Sequence, residues 1–361
     1  MARTSIEWCD AVWNPVRGCS RVSEGCRHCY AERMASRFTE GAFHRFAKRG
    51  KWTGRVELIP SKLDEPLRWR KPRRVFVTSM SDLFHEKLSD DARDAVFAVM
   101  ALAQQHTFQS LTKRPDNQRR YLSDPETPKR VARSLSFRFT YLSKSLSTID
   151  GVRVVDFDTA RVARVPELAW PLRNLWLGVS VEDQPTADER IPLLLGTPAA
   201  TRFVSFEPAI GSVDFDDHRD WLTPSKAAGQ ALDLVIVGGE SGPGARPFDV
   251  AWARSTIRQC REAGVAAFCK QLGARPFDGV VPVPVPLQTV THEAWIGSGK
   301  DGKPQFDLPI VRPALVGGDG RDAEPAKHWL RLKSAKGGDP AEWPEDLRVR
   351  EWPHAGLEVI D

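Results

Sequence analysis

Leu234-Val235-Ile236-Val237-Gly238-Gly239-Glu240 is a short apolar run that stops at a glycine pair and a carboxylate. Its aliphatic side chains do not alternate with polar ones, which is how a strand reads when both faces of its sheet are covered. Similar runs recur at Val75-Phe76-Val77, Thr107 to Leu111, Leu175 to Val179, Arg202 to Phe206 and Val265 to Phe268, and Ala11 to Trp13 reads as a first, shorter strand. Helical patterns lie between several of them, over Ala92 to Gln105, Thr186 to Leu195 and Val250 to Ala263. Buried strands alternating with helices predict an α/β fold with a parallel sheet. Right-handed crossovers then give either an open doubly wound sheet or a partial or full parallel α/β barrel.

The residues after each strand carry more information than the strands. Ser79-Met80-Ser81-Asp82 follows the second, Lys113-Arg114 the third, Ser180 and Glu182 the fourth, Ser205 and Glu207 the fifth, Gly238-Gly239-Glu240 the sixth, and Lys270-Gln271 the seventh. Sites in parallel α/β folds gather at the carboxyl ends of the strands, where loops converge and helix N-termini present unpaired N–H groups. A polar residue is also how any strand ends. Six polar ends in succession on one face predict a functional rim. The stretch GGESGPGAR lacks the Gly-Lys-Ser/Thr of a P-loop and is not Gly-x-Gly-x-x-Gly. It reads either as a close backbone approach to a ligand or as a plain tight turn.

Cys19-Ser-Arg-Val-Ser-Glu-Gly-Cys26-Arg-His-Cys29 places three thiols in a Cys-x6-Cys-x2-Cys spacing just before a helical start at Tyr30-Ala31-Glu32-Arg33-Met34. Gly18 and Gly25 let the loop curl so that all three sulfurs aim at one point. Structural zinc and electron-transfer 4Fe-4S clusters take four protein ligands. Three ligands leave one corner of a 4Fe-4S cluster open to a substrate or cosubstrate. Two other readings stand beside this one: structural thiols, and a zinc site completed by Cys9, His28 or His44.

With 361 residues, 41% hydrophobic and 27% charged, the chain has an ordinary globular composition. Six cysteines, half of them in one loop, do not make a secreted disulfide framework, and neither an N-terminal signal sequence nor an eighteen-residue apolar run is present. A cytoplasmic protein with no membrane span is the expectation. The net charge of +5 is unevenly placed: residues 44–74 contain HRFAKRGK and RWRKPRR, with Trp52 and Trp69 among the cations. That mixture suits a solvated face, or a nucleic-acid partner whose phosphates are neutralised and whose bases are stacked.

Two stretches break the strand and helix rhythm. Ser123 to Leu172 contains SLSFRFTYLSKSLS and GVRVVDFDTARVARV, whose alternation resembles strands or a hairpin inserted between the third and fourth strands. From residue 275 to 361 the chain is rich in Pro and Gly, with Trp329, Trp343 and Trp352 as anchors, and reads as a loop and hairpin extension packed on the same domain. The expected division is therefore a barrel-like body over 1–274, with an insertion at about 123–172, and a wrap over 275–361.

The stretches WNPVRGCSRVSEGCRHCYAERMA, VFVTSMSDLFHE, FQSLTKRPDN, WLGVSVEDQPTADERIP, RFVSFEPAIG, LVIVGGESGPGARP, FCKQLGARP and GGDPAEWPEDLRVREWP together resemble the phage-associated three-cysteine-motif family, largely of unknown function. That family is in turn distantly similar to the radical S-adenosylmethionine (radical SAM) superfamily. This second resemblance implies a TIM-barrel-like partial α/β barrel and a 4Fe-4S cluster on Cys19, Cys26 and Cys29. It further implies S-adenosylmethionine on the open iron, an electron donor, and a 5′-deoxyadenosyl radical that abstracts hydrogen from a substrate. His28 stands where the superfamily usually has an aromatic residue. Two departures are visible: six residues rather than three separate Cys19 from Cys26, and the Gly-Gly-Glu motif follows a late strand, with Ser79 to Asp82 after the second.

The expectation is an iron-sulfur enzyme of this type. Ser81, Asp82, Ser180, Glu182, Glu207, Gly238, Gly239 and Glu240 would form its cofactor rim, and Lys113, Arg114 and Lys270 would meet anionic substrate groups. Nucleic acid or a nucleotide is the substrate suggested by the basic segment. The rival readings are a non-catalytic nucleic-acid-binding protein built around zinc or a cluster, and an iron-sulfur protein that only carries electrons or senses redox state.

Overall fold

Seven strands form one sheet in the order in which the chain supplies them. They are β1 (Ala11–Trp13), β2 (Arg74–Val77), β3 (Thr107–Thr112), β4 (Leu175–Val181), β5 (Thr201–Phe206), β6 (Leu234–Gly238) and β7 (Ala266–Gln271). Every neighbouring pair is parallel. The computed structural model describes residues 4, 6–37, 45–135, 168–216, 219–223, 230–280, 327–334 and 336–353. Right-handed crossovers that always step the same way keep their helices on one face. The opposite face can then be covered only by curling, and the sheet is a half-barrel flanked by helices.

The helices are α1 (Tyr30–Arg37), α2 (Asp90–Leu102), α3 (Pro115–Ser123), α4 (Gln184–Leu195) and α5 (Val250–Ala263). Their ends have local causes. Ser89 accepts from the Ala92 N–H, so α2 begins two residues before its apolar pattern, with Asp90 and Asp91 at its positive end. Asp183 and Thr186 form a capping box at α4. Asp249 caps α5, and Gly264 at φ 73° ends it.

Side chains on the strands alternate between two cores. Val75, Val77, Val204, Val235 and Val237 face the helices and belong to the large core, whereas Phe76, Phe203, Leu234, Ile236 and Phe268 point into the concave side with Trp8 and Cys9. Toward the carboxyl ends the concave positions turn polar, at Ser180, Ser205 and Lys270. The inner apolar cluster is thus a floor, and the polar ring above it lines a cavity.

Several strands run one to three residues past their apolar stretch, because Thr112, Ser180, Val181 and Gln271 still pair with the neighbouring strand. Within the expected insertion at 123–172, residues 127–135 are helical, and residues 136–167, which hold nearly all of the two alternating stretches expected to be strands or a hairpin, lie outside the described residues. In the Pro- and Gly-rich end, Pro276–Val280 pairs with Phe248–Asp249 and with Lys327–Trp329. Trp343 is 2% exposed in the main core, and Trp352 packs on Phe268 at 5.0 Å between ring centroids, whereas Trp329 is exposed. Residues 281–326 of this end lie outside the described residues. No described helix is long and apolar enough to cross a membrane.

Candidate active site

The cysteine loop sits on the carboxyl ends of the strands and is pinned there at Gly18, Ser20 and Ser23. Gly18 forms a parallel bridge to Ser81, whose Oγ donates to the Gly18 carbonyl at 2.6 Å. Ser20 Oγ lies 2.9 Å from His85 Nε2. The Lys87 N–H donates to His85 Nδ1 at 3.2 Å, which leaves the ring proton on Nε2 and makes that nitrogen the donor to Ser20. Burial and the adjacent Arg114 hold His85 neutral. Ser23 Oγ donates to Glu182 Oε1 at 3.1 Å, and a turn over Glu24–Cys26 delivers Cys29 to the start of α1.

Cys19, Cys26 and Cys29 all line one cavity of about 440 Å³. Trp8, Phe76 and Leu111 form its apolar wall, and Lys270 and Glu207 stand on its rim. Burial pushes the Cys19 thiol up to about 12, with Asp82 and the other two cysteines adding to the effect; burial also raises Cys29. A bound metal would reverse the effect on Cys19 and Cys29, because coordination stabilises the thiolates. Among the described residues, no three His, Cys, Asp or Glu side chains are grouped as the ligands of a single ion. Cys19, Cys26 and Cys29 instead share the lining of one open cavity. Of the proposed zinc partners, Cys9 belongs to the inner apolar cluster, His28 Nδ1 is 3.2 Å from Glu240, and His44 lies outside the described residues.

Around this centre the charges are matched. Glu182 is 1% exposed, and burial works against its charge, but Lys113 Nζ at 3.0 Å and Arg190 Nη1 at 3.1 Å hold its carboxyl below the usual range. Burial likewise opposes Glu240, and Arg246 outweighs it with bonds of 2.8 and 3.0 Å. Lys270 Nζ is 2.7 Å from both Glu207 oxygens, and Gln271 Nε2 donates to the same carboxylate at 3.0 Å. Asp82 accepts from Thr112 Oγ1, the Phe84 and Lys113 N–H groups and Arg114 Nη1.

Of the expected rim residues, Ser81, Asp82, Ser180, Glu207, Glu240, Lys113, Arg114 and Lys270 line the cavity with the three cysteines. Glu182 stands behind Lys113. Gly238 and Gly239 are buried in the wall: a Cβ on Gly239 would lie 2.9 Å from Phe248 Cβ and from the Leu272 carbonyl carbon, so these glycines permit β6 to pack on its neighbours rather than a ligand to approach. Arg114 does not offer a free guanidinium to a substrate. Its donors go to Asp82, Glu86 and Ser20, and Nη1 is also 3.8 Å from Cys19 Sγ.

Sequence reasoning missed Trp8, Phe76, Tyr30 and Lys336 as cavity residues. Thr78 was also missed. This β-branched residue lines the cavity at φ 61°, a left-handed conformation that costs on the order of 1–3 kcal/mol and concentrates at functional sites. Within the basic segment, Trp69 is buried in the main core, whereas Trp52 lines the cavity. Arg45, Arg55, Lys62, Arg68 and Arg74 are paired with carboxylates.

A family model described as "Protein of unknown function (DUF5131)" matches residues 3–309. No curated protein and no solved structure matches the chain.

Proposed function

The chain belongs to the DUF5131 family of proteins of unknown function, so its chemistry has to be read from the cavity, and we propose an iron-sulfur enzyme of the radical SAM type. The observation that carries this reading is the placement of Cys19, Cys26 and Cys29 on one cavity at the carboxyl rim of a parallel half-barrel. The sulfurs are three, they border a volume of about 440 Å³, and the floor beneath them is apolar. A 4Fe-4S cluster held there supplies one electron at a time and leaves one iron open for S-adenosylmethionine.

This chain's residues have definable tasks toward such a group. Cys19, Cys26 and Cys29 hold it, and Ser20, His85 and Arg114 fix the loop at Cys19. Lys270 with Glu207 places a cation and a carboxylate side by side on the rim, which matches a zwitterion such as an amino-acid moiety. Trp8 and Phe76, whose tilted rings are 4.6 Å apart between centroids, keep water from the floor. Anaerobic purification and iron analysis test the reading. About four irons per chain, followed by release of 5′-deoxyadenosine on adding reductant and S-adenosylmethionine, is the expected result. A colourless chain with one zinc would overturn it.

A further inference from the structure

Lys48-Arg49-Gly50-Lys51 forms the tip of a hairpin whose strands are Ala47–Lys48 and Lys51–Trp52. The register sets Lys48 directly opposite Lys51, and like charges so placed weaken a hairpin. The two turn residues, Arg49 at φ 48° and Gly50 at φ 77°, are both left-handed. Two-residue turns of this kind favour Asn or Gly at each position, so an arginine at the first is strained. Three cations are therefore placed where each costs local stability.

Nothing described in the fold offsets that cost. Lys48, Arg49 and Lys51 are exposed, and none forms an ion pair with a described residue, whereas Arg45, Arg55, Lys62, Arg68 and Arg74 of the same basic run each have a carboxylate. The hairpin is nonetheless firmly seated. Phe46 and Ala47 are buried, the Thr53 N–H donates to the Phe46 carbonyl at 2.8 Å, and the Trp52 N–H donates to the buried Glu32 at 2.7 Å. Trp52, the residue after Lys51, lines the cavity, as does the partly exposed Tyr30. A rigid cationic tip thus leads directly to an aromatic cavity mouth.

We propose that this tip grips the phosphates of a single-stranded nucleic acid whose bases reach Trp52 and Tyr30 at the cavity mouth. Unpaired cations gain by releasing counterions from a phosphate backbone, and exposed rings beside them stack bases without regard to sequence. That the strand is the substrate rests on the function proposed above; that it binds does not, because the hairpin contains no cysteine.

The test uses the full chain without metal and a fluorescein-labelled oligothymidine of about twelve nucleotides, followed by anisotropy between about 50 and 200 mM salt. In the triple variant Lys48→Ala, Arg49→Gly, Lys51→Ala, the slope of log affinity against log salt falls by about 2, at about 0.7 per lost phosphate contact, and affinity at about 100 mM salt falls at least tenfold. Arg49→Gly alone removes the strain, so its melting temperature is unchanged or higher while the slope falls by about 0.7. Trp52→Leu weakens binding several-fold with the slope unchanged. Arg68→Ala, which removes a cation already paired with Asp64, leaves both affinity and slope unaltered. An unchanged slope in the triple variant overturns the proposal. So does equal affinity for a duplex or a heparin fragment of the same length, which would make the tip a general polyanion contact. Iron uptake measured separately, after anaerobic reconstitution of the same chains, keeps the two readings apart: a chain that takes up no iron yet binds the strand refutes only the cluster, and one that takes up iron but is indifferent to the strand refutes only the hairpin.

Discussion

Gly25 packs directly on Glu182: a Cβ at Gly25 would lie 2.5 Å from the Glu182 Cγ and closer still to the carboxylate. The contact joins the cysteine loop to the end of β4. It cannot relax by swinging the glutamate aside, because Ser23, Lys113 and Arg190 hold that carboxylate. Gly25→Ala therefore lifts the loop that carries Cys26. The variant is expected to lose about 1–3 kcal/mol of stability and to retain less iron after anaerobic reconstitution. Removing both partners relieves the clash, so Gly25→Ala/Glu182→Ala is less destabilised than the sum of the single variants. Denaturant unfolding of all four proteins measures this, and strict additivity would contradict the contact.

Glu182 also predicts a pH dependence. Its carboxyl titrates below the ordinary value of 4.5 in the folded chain, because Lys113 and Arg190 outweigh burial. A depressed carboxylate contributes stability that is present above the unfolded value and is lost as pH falls through the folded one. Glu182→Gln leaves two cations facing a neutral group and is expected to cost about 3 kcal/mol at neutral pH. The gap between wild type and variant narrows as pH drops below 4.5. Unfolding free energies taken across that range check it, and a gap that widens on acidification would refute the assignment.

Arg114 is the one basic side chain whose guanidinium reaches a cysteine sulfur, 3.8 Å from Cys19, among the hydrogen bonds of the described residues. A cationic donor on a coordinating sulfur stabilises the reduced, more negative state of an iron-sulfur cluster more than the oxidised one. Arg114→Lys keeps a charge but cannot bridge Asp82, Glu86 and Ser20 at once. Its midpoint potential is expected to fall by the equivalent of about a tenfold change in the one-electron equilibrium, about 59 mV. Ser20→Ala loosens the same loop without touching the sulfur contact and leaves the potential in place. A spectroscopically monitored titration separates the two variants.

How much of this was legible in the chain depends on distance along it. Leu234 to Val237 and its counterparts announced buried parallel strands because burial on both faces removes polar residues from a strand locally. Asp82, Ser180, Glu207 and Lys270 were legible for the same reason, each coming just after its own apolar run. Trp8 and Lys336 were not, since only the folded topology brings them to the cavity; Lys336 pairs with Glu7 from the other end of the chain. Arg114 read as a ligand for anions because a sequence shows a charge but not the carboxylates that already occupy it. Gly239 read as a ligand-facing glycine, although the backbone it makes room for is that of Leu272. The helix over residues 127–135 was not legible, because the alternating stretches that marked this insertion begin only at Ser134.

The cysteines divide by what surrounds them, and this gives the sharpest test of the centre. Cys9 is 6% exposed in the inner apolar cluster, its thiol pushed up to about 11 by burial, and it is not among the cavity residues. Cys9→Ala removes one buried sulfur from that cluster and is expected to cost about 1–2 kcal/mol with iron content unchanged. Cys19→Ala, Cys26→Ala and Cys29→Ala remove atoms that face open volume, so each should fold with a smaller loss of stability. Each should nevertheless abolish iron binding, because a cluster on three ligands does not tolerate two. Stability and metal content therefore move in opposite senses between the two sets. A zinc site that enlists Cys9 would instead lose its metal in all four variants, and iron retained in any one of Cys19→Ala, Cys26→Ala or Cys29→Ala would remove that residue from the centre.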